Sequence, residues 1–169
     1  ILAKFGLSGN FPDKVVNESK SCPDKVSQND RKGRMDLRKV FTLTIDPLDA
    51  RDFDDALSFR ELKNGELEIG VHIADVSHYV RSGTQLDREA KKRGNSTYLV
   101  GEVVPMLPHR LSSGICSLVE AEERLVKSAL FRFSKEGKLL GSKLAESVIK
   151  SDKRLTYEQA ILFMKETNL

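Results

Sequence analysis

Apolar residues alternate with threonine along Val40, Phe41, Thr42, Leu43, Thr44 and Ile45, a β-branched and aromatic run that predicts a strand leading straight into Asp46. Two more apolar-rich runs, 56–62 and 67–74, are joined through Lys63-Asn64-Gly65-Glu66, where an Asn-Gly pair favours the positive φ angles of a tight hairpin turn. Runs over 124–134 and 138–149 predict a further pair of strands joined across Lys135-Glu136-Gly137. Helical signals are fewer. Pro12 with Asp13, Val15 and Val16 marks a short helix with proline in its first turn. Thr84 and Asp87 cap a helix over 85–93, with Leu86 and Ala90 on its inner face and Gly94 as its stop. A short helix over 110–119 places Leu111, Ile115 and Leu118 inward, and Thr156 with Gln159 opens a last helix carrying Ala160, Ile161, Leu162, Phe163 and Met164. Residues 1–5 are apolar and read as a short helix or the tail of an upstream element, whereas 17–38 turn polar and predict a mobile surface linker. The sum is an α+β fold, a mixed and mainly antiparallel sheet or barrel core with peripheral helices.

Composition narrows the picture without deciding it. At 169 residues, with 39% hydrophobic and 31% charged positions, the chain suffices for one domain with a sizeable core and a heavily charged surface. A net charge of +3 is too small to establish nucleic-acid binding, but the charges are segregated: acids bunch at 46–55, and Lys and Arg recur at 31–38 and 88–93. No apolar run reaches the length of a membrane span and the start lacks a signal-peptide pattern, so a cytoplasmic location is the default expectation. Cys22 and Cys116 lack metal-type spacing and read as separate reduced thiols, Cys116 as a buried one rather than a nucleophile. His72, inside a strand, reads as structural, and Asp75 at the end of that strand as a cap.

Candidate chemistry concentrates in one stretch. Asp46, Asp49, Asp52, Asp54 and Asp55 put five carboxylates within ten residues. Such a cluster must be solvated, partly protonated or supplied with a cation. An exposed acidic turn is the plain alternative. Against it, Ile45, Pro47, Phe53, Ala56 and Leu57 interleave with the acids and predict a loop that is pinned. Oxygen donors with no His or Cys nearby point to Mg²⁺ or Mn²⁺ rather than zinc. A calcium EF-hand fits poorly, because counting from Asp46, Asp49 or Asp52 puts Arg51, Asp54 or Leu57 where its glycine belongs. Arg88, Lys91, Lys92 and Arg93 make one side of the 85–93 helix basic, either a solvated face or an attraction for an RNA backbone. Tyr98 is either a half-buried strand residue or a stacking platform for a nucleobase.

Thr44-Ile45-Asp46-Pro47-Leu48-Asp49-Ala50-Arg51-Asp52-Phe53-Asp54-Asp55-Ala56 resembles the signature of the ribonuclease II and ribonuclease R exoribonucleases, the RNB family. Four further stretches match in the same order: His72-Ile73-Ala74-Asp75-Val76-Ser77, Ser96-Thr97-Tyr98-Leu99, Pro105-Met106-Leu107-Pro108, and Leu111-Ser112 with Cys116-Ser117-Leu118. The resemblance covers 36–160 and implies release of nucleoside 5′-monophosphates from the 3′ end of single-stranded RNA by Mg²⁺-assisted hydrolysis, with Mn²⁺ as substitute. It implies Asp46, Asp52 and Asp55 as metal ligands and Asp54 as the residue whose loss most harms the chemical step. Tyr98 would stack near the RNA 3′ end; from the basic side of the 85–93 helix, Lys92 and Arg93 are the candidates for its backbone. Asp49 matches no required position. The expected organisation is a linker over 1–38 and the first portion of the catalytic domain over 39–169, in a monomer whose continuation supplies a second aromatic clamp, a further acid and an arginine. Two other classes stay open: an RNA-binding or interaction module without activity, though all four matching acids are retained, and a calcium-binding structural loop, which Ca²⁺ would stabilise more than Mg²⁺.

Overall fold

The predicted strands form one sheet, whose covered face carries mostly small and polar residues. The computed structural model describes residues 8–100 and 102–166; the apolar start at 1–5 lies outside them. In chain order the strands are β1 (Met35–Asp36), β2 (Thr42–Asp46), β3 (Asp55–Glu61), β4 (Leu67–Ala74), β5 (Thr97–Leu99), β6 (Glu102–Val104), β7 (Glu123–Phe133), β8 (Leu139–Lys150) and β9 (Lys153–Thr156). The helices are α1 (Asp13–Lys20), α2 (Val76–Tyr79), α3 (Gln85–Arg93) and α4 (Tyr157–Glu166). Seven strands lie in the order β1-β8-β7-β4-β3-β2-β9, and β5 and β6 form a separate ribbon. Only the edge pairs β1–β8 and β2–β9 are parallel, so the sheet is mixed and mainly antiparallel, and it is open rather than a barrel.

The inner face is built from small and polar residues. Thr42, Thr44, Ser58, His72, Ser128 and Ser147 are buried, alongside Ala56, Ala74, Val126 and Leu130. The opposite face carries the larger apolar side chains, with Phe41, Leu57, Phe59, Ile69, Ile73 and Leu144 all exposed. Leu57, Val71, Ala129 and Leu144 sit opposite one another across four strands, making a continuous apolar row.

His72 is structural, as its setting in the strand predicts. Its imidazole is fully buried between the Ser58 and Ser128 hydroxyls, each at 2.8 Å. Gly70 makes room for it, since a Cβ there would lie 2.4 Å from Ser58 Oγ and 2.7 Å from His72 Nε2. Burial without a counter-charge pushes the imidazole down to about 4. Between pH 6.5 and that value only the unfolded chain takes up the proton, so stability falls as pH drops through this window and is level below it. The expected loss is on the order of 3 kcal/mol, at 1.36 kcal/mol per tenfold. Urea unfolding at pH 7.5 and pH 4.5 measures it, and equal midpoints would contradict the assignment.

The 63–66 turn closes the β3–β4 hairpin with Gly65 N–H donating to Leu62 O at 2.8 Å. Of the Asn-Gly pair only Gly65 takes a positive φ, 76°. Helix α3 is capped by Thr84, whose side chain accepts from Asp87 N, and ends at Gly94 with φ 81°. The Asp87 carboxylate instead accepts from Gly83 N. Thr156 and Gln159 cap α4 reciprocally, at 2.9 and 3.2 Å. The helix expected over 110–119 is only one wide turn, Leu111–Ile115, broken at Gly114, yet Leu111, Ile115 and Leu118 are buried as expected.

The mobile linker expected over 17–38 is corrected by the structure. Helix α1 continues to Lys20 and packs on α3, with the Glu18 carboxylate accepting from Leu86 N at 3.1 Å. Cys22, Val26 and Leu37 are buried, and β1 pairs with Ser147 and Val148. Arg34 donates to Asp75 Oδ2 at 2.6 Å, with side chains only 7% and 1% exposed. The polar composition hid a few widely spaced apolar anchors and one buried ion pair. Asp75 occupies the N-cap position of α2, but its carboxylate takes Arg34 and the Ser77 hydroxyl instead of a helix N–H. Among the described residues no helix is long and apolar enough to cross a membrane.

Candidate active site

The acids lie where β2 ends and β3 begins: Asp46 closes β2, Asp55 opens β3, and Asp52 and Asp54 occupy the connecting loop. This loop is pinned at both ends and in the middle, as the interleaved apolar residues suggest. Phe53 is buried, its N–H donates to Ser117 Oγ at 3.0 Å, and its carbonyl accepts from Leu118 N at 2.9 Å. The same Ser117 hydroxyl donates to Arg51 O at 3.0 Å. Arg124 fixes Ser117 in turn, donating to its carbonyl at 2.7 Å. From β9, Arg154 donates to Pro47 O and Leu48 O at 2.9 and 2.8 Å and lies 4.9 Å over the Phe53 ring. Asp54 O accepts from Ala74 N at 2.9 Å, tying the loop to the end of β4.

Ser117 ties two points of the loop through one buried hydroxyl. Ser117→Ala leaves the Phe53 N–H buried and unpaired, for an expected loss of about 1–3 kcal/mol. Calorimetry checks this as a fall in Tm of roughly 2–4 °C per kcal/mol, and an unchanged Tm would contradict the role.

Electrostatics bind the four acids into one group. Burial pushes the Asp46 carboxyl above its ordinary value; Asp55 and Asp52 add to the shift, while Thr44 and Arg154 oppose it. The Thr44 hydroxyl lies beside Asp46 without hydrogen-bond geometry, and Asp46 Oδ2 is buried with no partner. Asp54 is also raised, by surrounding protein mass and by Asp52, Asp55 and Asp46, although the residue itself reaches solvent. Among the described residues no three His, Cys, Asp or Glu side chains stand in ligating geometry. The all-oxygen donor set and the orphaned Asp46 Oδ2 nevertheless fit a hard divalent cation, whose arrival would draw the carboxylates together.

Tyr98 comes to the same place from β5. Its side chain is 61% exposed and its hydroxyl donates to Asp52 Oδ2. That bond, with burial second, raises the phenol to about 12. Lys92 is exposed on α3. Arg93, expected to face RNA, is corrected: it pairs with Glu89 at 2.9 Å, donates to the carbonyls of Ser8, Asn10 and Pro105, and stacks 3.8 Å over Phe11. With four of its five N–H donors engaged and 11% of its side chain exposed, it clamps the N-terminal segment to α3. Asp49 is exposed and lines a cavity of about 580 Å³ with Leu48, Arg51, Phe53 and Arg154, which none of the other four acids reaches. Cys116 is buried, its thiol pushed up to about 12 by burial, and is inert. Sequence reasoning gave Ser117 and Arg154 no role. Ser117 was signalled only by its matched motif, and nothing marked Arg154.

A mixed sheet presenting an acidic, braced strand connection beside an exposed tyrosine defines the class of domain. The RNB domain model matches residues 34–168, and the chain belongs to the RNB family. It is 49% identical over 158 residues to ribonuclease R of Thermotoga maritima and 45% identical over 158 residues to ribonuclease R 1 of Lactococcus lactis, covering 94% of this chain and 22% and 19% of those proteins. It thus spans about a fifth of the length of these relatives. Mycoplasma genitalium RNase R, solved in complex with ribose-methylated single-stranded RNA, superposes with a TM-score of 0.88 at 30% identity, over 98% of this chain and 26% of that one. Yeast Ssd1, a pseudonuclease, superposes at 0.75 with 23% identity, over 85% of this chain and 18% of that one, a likeness of fold alone.

Proposed function

We propose that the protein is a 3′-to-5′ exoribonuclease that hydrolyses single-stranded RNA to nucleoside 5′-monophosphates, acting in the cytoplasm as a monomer. The observation that carries this reading is the braced loop holding Asp46, Asp52, Asp54 and Asp55 at the RNB motif positions, with Asp46 Oδ2 buried and unpartnered. Relatives named ribonuclease R and a neighbour solved with single-stranded RNA support it.

Asp46, Asp52 and Asp55 would hold Mg²⁺ or Mn²⁺, which when bound supplies charge stabilisation to the phosphate and a more acidic bound water. The remaining work falls to the chain itself. Ser117, Arg124 and Arg154 fix the backbone path of the loop, so that side-chain rotation rather than backbone refolding separates the free loop from one that holds the ion. Asp54 keeps a carboxylate at the open side of the cluster, where it can orient or accept a proton from the attacking water. Tyr98 offers its ring to the terminal base, a contact that tolerates any base, and Lys92 offers charge to the backbone.

Release of mononucleotides from a 3′-tailed RNA by the full-length protein, with Mg²⁺ against chelator and with the 3′ end free against blocked, tests the reading. Mg²⁺-dependent release that the block prevents is expected. RNA binding without release would instead favour a binding module.

A further inference from the structure

Tyr98 divides its side chain between two tasks. The ring is open to solvent, but the hydroxyl is committed to Asp52 Oδ2. Among the described residues Asp52 Oδ1 has no hydrogen-bond partner. An ionised carboxylate only accepts, so a single donor on one oxygen fixes the group's rotation and leaves the other oxygen available. The ribbon carrying Tyr98 lies outside the main sheet; Met106 N closes its base by donating to Ser96 Oγ at 3.0 Å, and Arg93 ties it to α3 by donating to Pro105 O at 3.2 Å. The Tyr98 hydroxyl is its link to the acidic loop.

We propose that the Tyr98 hydroxyl, as distinct from its ring, positions Asp52 for the divalent cation and so couples the nucleobase platform to the ion site. This rests on the reading of the loop as an ion site. Outer partners of ligating groups set their orientation, and losing one typically costs about 10–100-fold in metal affinity. The hydroxyl therefore acts through Asp52, and Tyr98 serves as a positioning residue in addition to any stacking role. Coupling runs both ways: a ribbon displaced by a misplaced RNA end would take the Tyr98 donor from Asp52 and weaken the cation with it.

The test uses the full-length protein and Mn²⁺, its free concentration read by electron paramagnetic resonance, in Tyr98→Phe, Tyr98→Leu and Asp46→Asn. Tyr98→Phe is expected to weaken Mn²⁺ binding by about 10-fold without RNA present, at unchanged Tm. The Mn²⁺ concentration for half-maximal hydrolysis should rise by the same factor, with the rate recovering at saturation. Because the ring remains, RNA affinity in chelator should fall less for Tyr98→Phe than for Tyr98→Leu. Mn²⁺ affinity in Tyr98→Phe equal to or tighter than wild type overturns the positioning role. If Asp46→Asn weakens Mn²⁺ binding while Tyr98→Phe does not, only that role falls. If Asp46→Asn also binds like wild type, the ion site falls and the proposal with it.

Discussion

Asp54→Asn in the full-length protein is expected to reduce mononucleotide release by at least about 10²-fold, the usual scale for losing a proton-transfer or charge-stabilising group. The substitution is nearly isosteric, and the backbone at this position is held independently by Ala74 N, so the loop should keep its path. It removes one of four mutually repelling carboxylates, so thermal stability without divalent ions should hold or rise. RNA affinity should survive. Single-turnover release and RNA binding in chelator, measured on the same preparation, separate the outcomes. Full hydrolysis in the variant would sink the assignment of Asp54, and a parallel loss of RNA affinity would move its role from chemistry to binding.

Asp75→Ala should be the most damaging single change to stability, at about 3–5 kcal/mol, because it leaves the Arg34 guanidinium buried without its partner. Chemical denaturation reads the loss. In the double variant Arg34→Met with Asp75→Leu much of it should return, since apolar residues of similar volume often replace a buried pair without cost. Failure of the double variant to recover would show that the Ser77 bond and the approach of Lys127 at 3.7 Å matter more than the pair itself. Burial works to raise the Asp75 carboxyl, but the Ser77 hydroxyl and Arg34 outweigh it and hold it below its ordinary 3.8. A carboxyl so lowered contributes fully above the unfolded value and loses its contribution as pH falls below it. Acid should therefore weaken the fold in two stages, His72 first between pH 6.5 and about 4 and Asp75 beyond.

Local signals in the sequence carried the elements well. Gly94, Thr84 and Thr156 with Gln159 place helix ends because their capping bonds are made within three or four residues. The acidic loop was legible for a different reason: repulsion among five nearby carboxylates demands an explanation wherever the chain goes. Face and bracing were not legible. Period-two alternation marks a strand but not which side is covered, and here Thr42 and Thr44 face inward while Phe41 faces out. Arg93 looked like a solvated cation, but two of its donors go to carbonyls of Ser8 and Asn10, more than eighty residues away in sequence. Residues 17–38 likewise owe their order to Asp75 and to β8, which no local composition reveals.

The Ser117 anchor also bears on how the acidic loop comes into being. Its partners Phe53 and Arg51 lie 64 and 66 positions back along the chain, and those of Arg154 lie 106 and 107 back. Contacts of such high sequence separation close only after most of the loop-closure entropy between them has been overcome. The carboxylates are thus gathered late, as a product of the folded β-sheet, and a chain in which β9 has not yet docked holds them only as a loose acidic segment. A divalent cation would then leave the folding rate nearly untouched and act chiefly by slowing unfolding.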